Sequence, residues 1–300
     1  MKFLALAQLG RSSVGLYMGG VAILILLFIL GGLPLFFDAS WRLPSSEIDI
    51  ENPTFIAAYG TTRLFVGELL SFFFACVGFV VYLRFAHKRP LLAIFTAAPH
   101  FRWKRFFGFG LLVAVLLSGV AVLEPLINGQ AHAFKWNYNA AEFWPLVLAA
   151  FLLLPFQIAL EELVFRVYAL QGLYQRTKSV WVSMVLSSIM FALLHLENPE
   201  VAALGYSVLL YYWMSGLFLA LITVQDDGTE LAMAFHLVNN LFGVLVITTD
   251  WQVFKTSSLF IDQRGPSGVA GTLLGGLVLF SVLYWLLAKK FNWKSLKTLR

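Results

Sequence analysis

The chain has 300 residues, of which 60% are hydrophobic and only 12% are charged. So few charged residues cannot cover a water-soluble globule of this size, which excludes an ordinary soluble protein and indicates that lipid is the solvent. The formal net charge of +5 is not arranged as a basic stripe, so we expect no nucleic-acid partner and interpret the positive charge as a topology signal.

Eight apolar runs are candidates for membrane spans, since a spanning helix needs about 20 mostly apolar residues. The predicted spans are Val14–Phe37, Leu64–Phe85, Phe106–Val122, Phe143–Phe165, Val180–His195, Ala202–Val224, Leu231–Thr248 and Val269–Ala288. The first run is too long for the hydrophobic region of a signal peptide, so we expect it to be retained. The sequence predicts an all-α, polytopic transmembrane helical bundle of about eight spans, with residues 1–300 forming a single membrane domain.

Basic and acidic residues are distributed unevenly between the loops. Lysine and arginine are concentrated in Arg84–Arg105 and Lys289–Arg300, whereas Asp38–Thr62 carries four acidic residues. Because lysine and arginine mark the cytoplasmic side, we expect both termini in the cytoplasm, which agrees with an even number of spans. Cys76 is the one cysteine and lies in an apolar run, so we expect a packing role for it.

Ionisable side chains inside predicted spans require an explanation, because each costs about 3 to more than 10 kcal/mol at the bilayer centre. In this chain they are Glu68, Glu161, Glu162, Arg166, His195 and His236. Such residues mark proton relays, ion pathways or catalytic sites, or they form ion pairs that hold helices together.

The first cluster combines two adjacent carboxylates with an arginine. Neighbouring helical residues point about 100° apart, so Glu161 and Glu162 cannot have the same role. Arg166 lies four residues after Glu162 and can form an ion pair with it, which leaves Glu161 chemically available. A carboxylate in an apolar site is a usable proton acceptor or donor near neutral pH. The alternative is a purely structural charged cluster at a helix end.

Two histidines follow on later spans. His195 lies one turn after Phe191, which we expect to shield and orient the imidazole ring. His236 and Asn240 are four residues apart, so both can face the same cavity, where an amide can hold a carbonyl oxygen or fix a histidine tautomer. Hydrogen bonding between helices is the alternative for each. Glu68 fits a structural pairing near a helix end better than a place in the site.

The three motifs in chain order are EExxxR (Glu161, Glu162, Arg166), FxxxH (Phe191, His195) and HxxxN (His236, Asn240). Each alone is weak, but the three in this order on separate hydrophobic helices form a specific pattern. Together they resemble the CPBP intramembrane protease family, which includes the type II CAAX prenyl endopeptidases and Abi-like bacterial relatives. The resemblance covers residues 143–249, which we expect to be the catalytic core.

The resemblance implies an intramembrane endopeptidase in which Glu161 and His195 activate a water molecule. His236 and Asn240 would hold the scissile carbonyl and its developing oxyanion, and the remaining two residues of the first motif would brace the site. The substrate would be a membrane-associated peptide or protein, with CAAX-type C-terminal processing as one option. In such a mechanism a general base takes a proton from water and fixed donors stabilise the negative charge.

A metal cofactor is a further expectation. Glu161, His195 and His236 could supply three ligands to Zn²⁺ or another divalent metal, with water in the fourth position. The HExxH helix of many zinc proteases is absent. Relatives are classed as metalloproteases, whereas a mechanism that depends on glutamate alone has also been argued for the family, so both routes stay open.

Strict alternation of the spans creates a problem of depth. It places Glu161 and Glu162 towards the cytoplasmic side and His236 about 9 Å into the membrane from that side, while His195 lies deeper. These residues can meet only if helix boundaries shift, helices tilt, or the fourth helix continues past Arg166.

Two other functions fit parts of the pattern. A proton-coupled transporter also uses intramembrane carboxylates and histidines, but such proteins usually show paired halves, and here the polar residues fall in one half. A non-catalytic scaffold or bacteriocin-immunity protein would keep the fold without the chemistry. The presence of every motif residue favours the protease.

Overall fold

A computed structural model describes residues 2–44, 48–49, 52–266 and 268–296. Parts of the acidic segment (residues 45–47, 50 and 51) and the end of the basic C-terminal segment (residues 297–300) lie outside the described residues. The α-helices are α1 (Lys2–Ala5), α2 (Val14–Arg42), α3 (Pro53–Tyr59), α4 (Thr61–Phe85), α5 (Leu91–Phe95), α6 (Trp103–Ile127), α7 (Ala140–Glu162), α8 (Leu170–Thr177), α9 (Val180–Leu194), α10 (Pro199–Leu204), α11 (Leu209–Asp226), α12 (Glu230–Leu245) and α13 (Val269–Phe291). A π-helix, Leu163–Ala169, joins α7 to α8, and short 3₁₀ segments cover Leu6–Leu9, Ala131–Ala133 and Tyr206–Val208.

The predicted polytopic helical bundle is confirmed. Among the described residues, six helical segments are long and apolar enough to cross a membrane: Val14–Arg42, Thr61–Phe85, Trp103–Ile127, Ala140–Thr177, Tyr206–Asp226 and Val269–Phe291. The other two predicted spans correspond to the shorter apolar helices α9 and α12, of 15 and 16 residues. At 1.5 Å per residue these two helices are about 22–24 Å long, less than the hydrocarbon thickness of about 30 Å.

Most predicted boundaries differ from the structure by a few residues, and three of the differences change the local structure. The fourth predicted span ends at Phe165, but its helix continues through the π-helix and α8 to Thr177. The sixth begins at Leu209 rather than Ala202, because Gly205 adopts φ 77° and ends α10. The seventh ends at Leu245, where a run of β-branched residues leaves the helix and residues 247–248 become a strand.

The central helices carry the buried core. α7 packs between α4 and α12, α8 packs on α9, and α9 packs on α11. By contrast, α2, α6 and α13 bury fewer than a fifth of the residues in their most apolar stretches, so most of their apolar surface faces outward, as lipid-facing helices do. Leu148, Phe151 and Leu152 of the fourth span are exposed, but the part that carries Glu161 and Glu162 is packed inside protein, which is where an ionisable residue in a membrane protein is tolerated.

A small sheet that the sequence did not predict lies between helices. It consists of β1 (Phe134–Trp136), β2 (Ile247–Thr248) and β3 (Phe260–Asp262), in the order β1-β3-β2. β3 pairs antiparallel with β1 and parallel with β2. The sheet ties the loop before α7 to the segment after α12, and so links the ends of the two helices that carry the first and third motifs.

Candidate active site

The turn between α8 and α9 sets the relative height of the first two motifs. Lys178 adopts a left-handed conformation (φ 56°) that ends α8, and the Ser179 side chain accepts a hydrogen bond from the amide of Val182 at 3.3 Å to start α9. Lys178 lies midway in sequence between Glu161 and His195. Glu161 and His195 each lie about 17 positions, or about 25 Å, from this turn. Because the two helices run antiparallel, the two side chains are at the same height along the helix pair.

This hairpin resolves the depth problem. Of the three possibilities given above, the structure has the continuation of the fourth helix past Arg166. Glu161 and His195 are close enough for an electrostatic interaction. The Phe191 ring contacts both histidine rings, with centroids 4.6 Å from His195 and 6.0 Å from His236. The three motifs therefore meet around one phenylalanine.

Glu162 is held on both of its oxygens. One oxygen, Oε2, lies 3.1 Å from Nε of Arg166, and the two side chains are each 1% exposed. The other, Oε1, accepts a hydrogen bond from Nδ1 of His236 at 2.8 Å. The Arg166 guanidinium also lies over the Phe191 ring, 4.6 Å from its centroid. The structure thus contains the ion pair that the EExxxR spacing predicted, and adds His236 to it.

Glu161 is constrained on one oxygen only. Its Oε1 accepts a hydrogen bond from Nε2 of Gln157 at 3.1 Å. Its Oε2 lies 3.7 Å from Nε2 of His236 and has no hydrogen-bond partner among the described residues. Glu161 is 6% exposed and Glu162 is fully buried. The two neighbouring carboxylates therefore differ: Glu162 is in an ion pair, and Glu161 keeps an oxygen without a hydrogen bond to the described residues.

Both histidines have a fixed tautomer when neutral. Nδ1 of His195 lies 2.8 Å from the carbonyl oxygen of Phe191, and Nδ1 of His236 faces the Glu162 carboxylate. Since these oxygens can only accept, Nδ1 carries the proton in each ring and Nε2 is left with its lone pair. Both rings can therefore accept a proton or a metal through Nε2.

Buried polar atoms without partners are concentrated here. Thirteen buried side-chain nitrogen and oxygen atoms in the described part of the chain lack a hydrogen bond, and six of them belong to Gln157, Glu161, Glu162 and Arg166. Most buried polar atoms in proteins are hydrogen-bonded, so such a concentration is typical of a binding or catalytic site. The π-helix, another feature that is frequent at functional sites, begins directly after Glu162.

The third motif is brought only partly into this group. His236 is buried, but Asn240 is half-buried, and its Oδ1 accepts a hydrogen bond from Nδ2 of Asn239 at 3.2 Å. In this orientation the Nδ2 group of Asn240 remains a donor. Asn239 thus orients the Asn240 amide.

Glu68 lies outside the group. It is half-buried on α4 and shows no hydrogen bond or ion pair to the described residues. Arg63, its possible partner from the sequence, donates instead to the Tyr59 carbonyl at 3.0 Å and lies 3.9 Å from Asp38.

Two residues at the site were missed from the sequence. Gln157 precedes Glu161 by one helical turn, and a polar residue at that spacing inside a span was a usable signal. The Tyr212 ring stacks on His195 at a centroid distance of 4.1 Å, and its hydroxyl accepts a hydrogen bond from Asn198 at 3.2 Å. An aromatic residue in an apolar run carried no such signal.

The donors predicted for a metal have suitable chemistry but are not assembled as a ligand set. Nε2 of each histidine and Oε2 of Glu161 are nitrogen and oxygen ligands of the kind that zinc prefers. Among the described residues, however, no group of three or more histidine, cysteine, aspartate or glutamate side chains is arranged so that it could hold a metal ion. The metal therefore stays a prediction.

The fold and these side chains define an integral, multi-pass helical membrane protein with a buried site of glutamates and histidines. Residues 141–242 match the model of the family described as type II CAAX prenyl endopeptidase Rce1-like. This match confirms the family resemblance that the three motifs predicted, and it includes all three. The matched family is one of proteases. The uncharacterized protein YyaK of Bacillus subtilis (strain 168) is 25% identical over 261 residues, which cover 85% of this chain and 86% of that protein. No solved structure shows significant similarity to this chain.

Proposed function

We propose that this chain is an intramembrane endopeptidase that hydrolyses a peptide bond at or within the membrane through water activated by Glu161 and His195. The observation that carries the proposal is the unequal state of the two adjacent carboxylates. Glu162 is held by Arg166 and His236, whereas Oε2 of Glu161 is buried, makes no hydrogen bond to the described residues and lies 3.7 Å from Nε2 of His236. A structural charge cluster needs no free carboxylate oxygen, but a general base does.

The first step of the proposed reaction needs a general base. Oε2 of Glu161 takes a proton from a water molecule, and the resulting hydroxide attacks the peptide carbonyl to form a tetrahedral intermediate. The C–N bond of this intermediate then breaks, and the proton taken up by Glu161 passes to the leaving amine. The Gln157 amide, 3.1 Å from Oε1, keeps the carboxylate oriented with Oε2 towards the histidines. Nε2 of His195 has a lone pair, because Nδ1–H is directed at the Phe191 carbonyl, and so it is the second group able to accept and return a proton.

In the proposed reaction, the oxyanion needs hydrogen-bond donors. Nδ2 of Asn240 is a donor in the orientation set by Asn239, which suits the predicted role of holding the carbonyl oxygen. His236 can donate from Nε2 only when the ring is doubly protonated, because in the neutral ring the single proton is on Nδ1. Its predicted role as a second oxyanion donor therefore requires that it first accept a proton.

The substrate class follows from the family and the location of the site. The matched family is named for prenylated CAAX peptides, and a site among transmembrane helices can be reached by a membrane-anchored segment. We therefore propose a membrane-anchored peptide or protein as substrate, with CAAX-type C-terminal processing as the first case to test. The basic segments place both termini in the cytoplasm in this proposal.

The test is cleavage of two reporters by detergent-purified protein: a prenylated CAAX-type peptide and a single-span peptide without a prenyl group. We expect Glu161→Gln and His195→Ala to lower the cleavage rate about 100-fold or more, the scale of a lost general acid or base. The matched control is Glu68→Gln, which removes a span carboxylate outside the site and should retain activity. A zinc chelator added to the wild type tests the predicted metal.

The outcomes separate the alternatives. Retention of activity in both site variants would overturn the mechanism, and loss in the Glu68→Gln control would show that the effect is not specific to the site. If the folded wild type cleaves neither reporter, the result counts against the protease and favours the non-catalytic scaffold. Inhibition by the chelator that zinc reverses would establish a metal-dependent route.

A further inference from the structure

A cavity of about 380 Å³ lies between the start of α6 and the end of α13, away from the site described above. Its volume is in the range of small-molecule sites, about 300–1,000 Å³. α6 packs on α12 and α13 packs on α11, and the cleft between α6 and α13 opens where both helices expose most of their surface. The cavity therefore faces the lipid.

The lining changes from basic to apolar along both helices. On α6, Lys104, Gly108 and Leu112 follow at intervals of one helical turn and line the same cavity. On α13, Lys290 lies at the basic end of the cavity, and Leu286, one helical turn earlier in the chain, lies at its apolar end. Over about 12 Å the wall thus passes from two ammonium groups to hydrocarbon.

Neither Lys104 nor Lys290 is paired with a carboxylate of the part of the chain that the structure describes. Arg105, the third basic residue of the lining, forms an ion pair with Asp226 and lies over the Phe291 ring. Lys104 and Lys290 form no ion pair within the described residues. Lys290 also lies 5.7 Å from the centroid of the Phe291 ring. Two cations without an ion pair among the described residues, next to an apolar slot, suit a ligand with negative charge at one end and hydrocarbon at the other.

Tryptophan marks the same level as the lysines. Trp103, adjacent to Lys104, is 58% exposed, and tryptophan is enriched where the hydrocarbon meets the headgroups. The lysines therefore lie at headgroup level and the apolar part of the cavity at the level of the acyl chains. We infer that this cavity is a binding site for an anionic phospholipid, with its phosphate on Lys104 and Lys290 and an acyl chain along Gly108, Leu112 and Leu286.

The site adjoins the network that anchors α12. Arg102 bonds Oε2 of Glu230, the first residue of α12, at 2.6 Å, and it lies 3.0 Å from Asp226, which is also the partner of Arg105. Lipid binding would therefore occur next to the start of the helix that carries His236.

The test is lipid binding measured by native mass spectrometry on full-length protein, with phosphatidylglycerol and phosphatidylcholine of identical acyl chains. We expect the wild type to bind phosphatidylglycerol about tenfold more tightly or better, since basic residues at the membrane surface attract anionic lipids. The double variant Lys104→Gln/Lys290→Gln should lose this preference. Gly108→Leu should weaken binding of both lipids, because a side chain at Gly108 would project into open space within the cavity.

Two matched controls keep the test specific. Lys289→Gln removes the same charge from the neighbouring residue, which lies over Trp285, and Gly119→Leu adds the same bulk to α6 away from the cavity. Both should bind as the wild type does, and all variants should remain monodisperse. Equal binding of the two lipids by the wild type would overturn the inference. So would equal losses in Lys289→Gln and the double variant, or displacement of the lipid by millimolar inorganic phosphate.

Discussion

Replacing Glu162 with glutamine should destabilise the fold strongly, whereas the same change at Glu161 should not. Glu162 is the carboxylate paired with Arg166, whose guanidinium is 1% exposed. Without that charge, Arg166 keeps the Phe191 ring and a longer-range interaction with Glu161. Removing one partner of a buried ion pair typically costs about 3–5 kcal/mol, and the remaining interactions favour the lower end of that range.

The Glu161→Gln change removes much less from the folded state. A glutamine at this position can still accept the hydrogen bond from Gln157, and Oε2 has no hydrogen-bond partner among the described residues that could be lost. We expect a loss of at most about 1 kcal/mol, the size of one interhelical hydrogen bond. Activity should nevertheless fall in both variants, in Glu161→Gln without loss of structure.

The assay is reversible unfolding in mixed micelles, with helicity followed by circular dichroism as the fraction of denaturing detergent is raised. Glu68→Gln is the control for removal of a half-buried span carboxylate. Substitution of both partners, Glu162→Leu/Arg166→Met, should recover part of the lost stability, because no unpaired charge remains. Equal stability of the two glutamine variants would refute the division into a structural and a reactive carboxylate.

Two further predictions concern Tyr212 and His87. Tyr212→Ala should lower kcat in the cleavage assay by about tenfold or more, because the ring that stacks on His195 is lost. Tyr212→Phe keeps the ring and should stay within a few-fold of wild type. Equal effects of the two substitutions would assign the role to the hydroxyl group instead. Burial lowers the pKa of His87 below its ordinary 6.5. Below about pH 6.5 the unfolded chain therefore takes up a proton at His87 that the folded chain does not. The free energy of unfolding should consequently fall as the pH decreases through about 6.5. His87→Gln should flatten this part of the stability profile, and an unchanged slope would contradict the assignment.

The sequence predicted the helices well because hydropathy needs only length and composition. Each of the eight apolar runs corresponds to a helix, and the differences lie at their ends. The extension of the fourth helix beyond Phe165 could have been inferred from the same data. No proline or glycine interrupts the chain until Gly172, and Lys178 is followed by Ser179, a good N-cap for the next helix.

Side-chain contacts between helices were harder to predict from the sequence. The spacing of Glu162 and Arg166 lies within one helix, so their pairing could be predicted from periodicity alone. The bond from His236 to Glu162 depends on the rotation of α12 against α7, which one sequence does not specify. The β1-β3-β2 sheet joins segments more than a hundred residues apart, and its short strands carry no pattern that a helical prediction would register.

The ion pair of Glu162 and Arg166 lies where the helix changes from α to π. In an α-helix Glu162 and Arg166 would share a face, but the π-turn that begins at Leu163 changes the angular spacing of the side chains that follow. The pair persists at 3.1 Å, yet neither Nε nor the two Nη groups of Arg166 make a hydrogen bond to the described residues. Each such atom costs about 1–3 kcal/mol if it stays unsatisfied, so ordered water or a bound ligand would stabilise this arrangement. A water molecule supplies two donors, which complement the carboxylate oxygen of Glu161 that makes no hydrogen bond to the described residues.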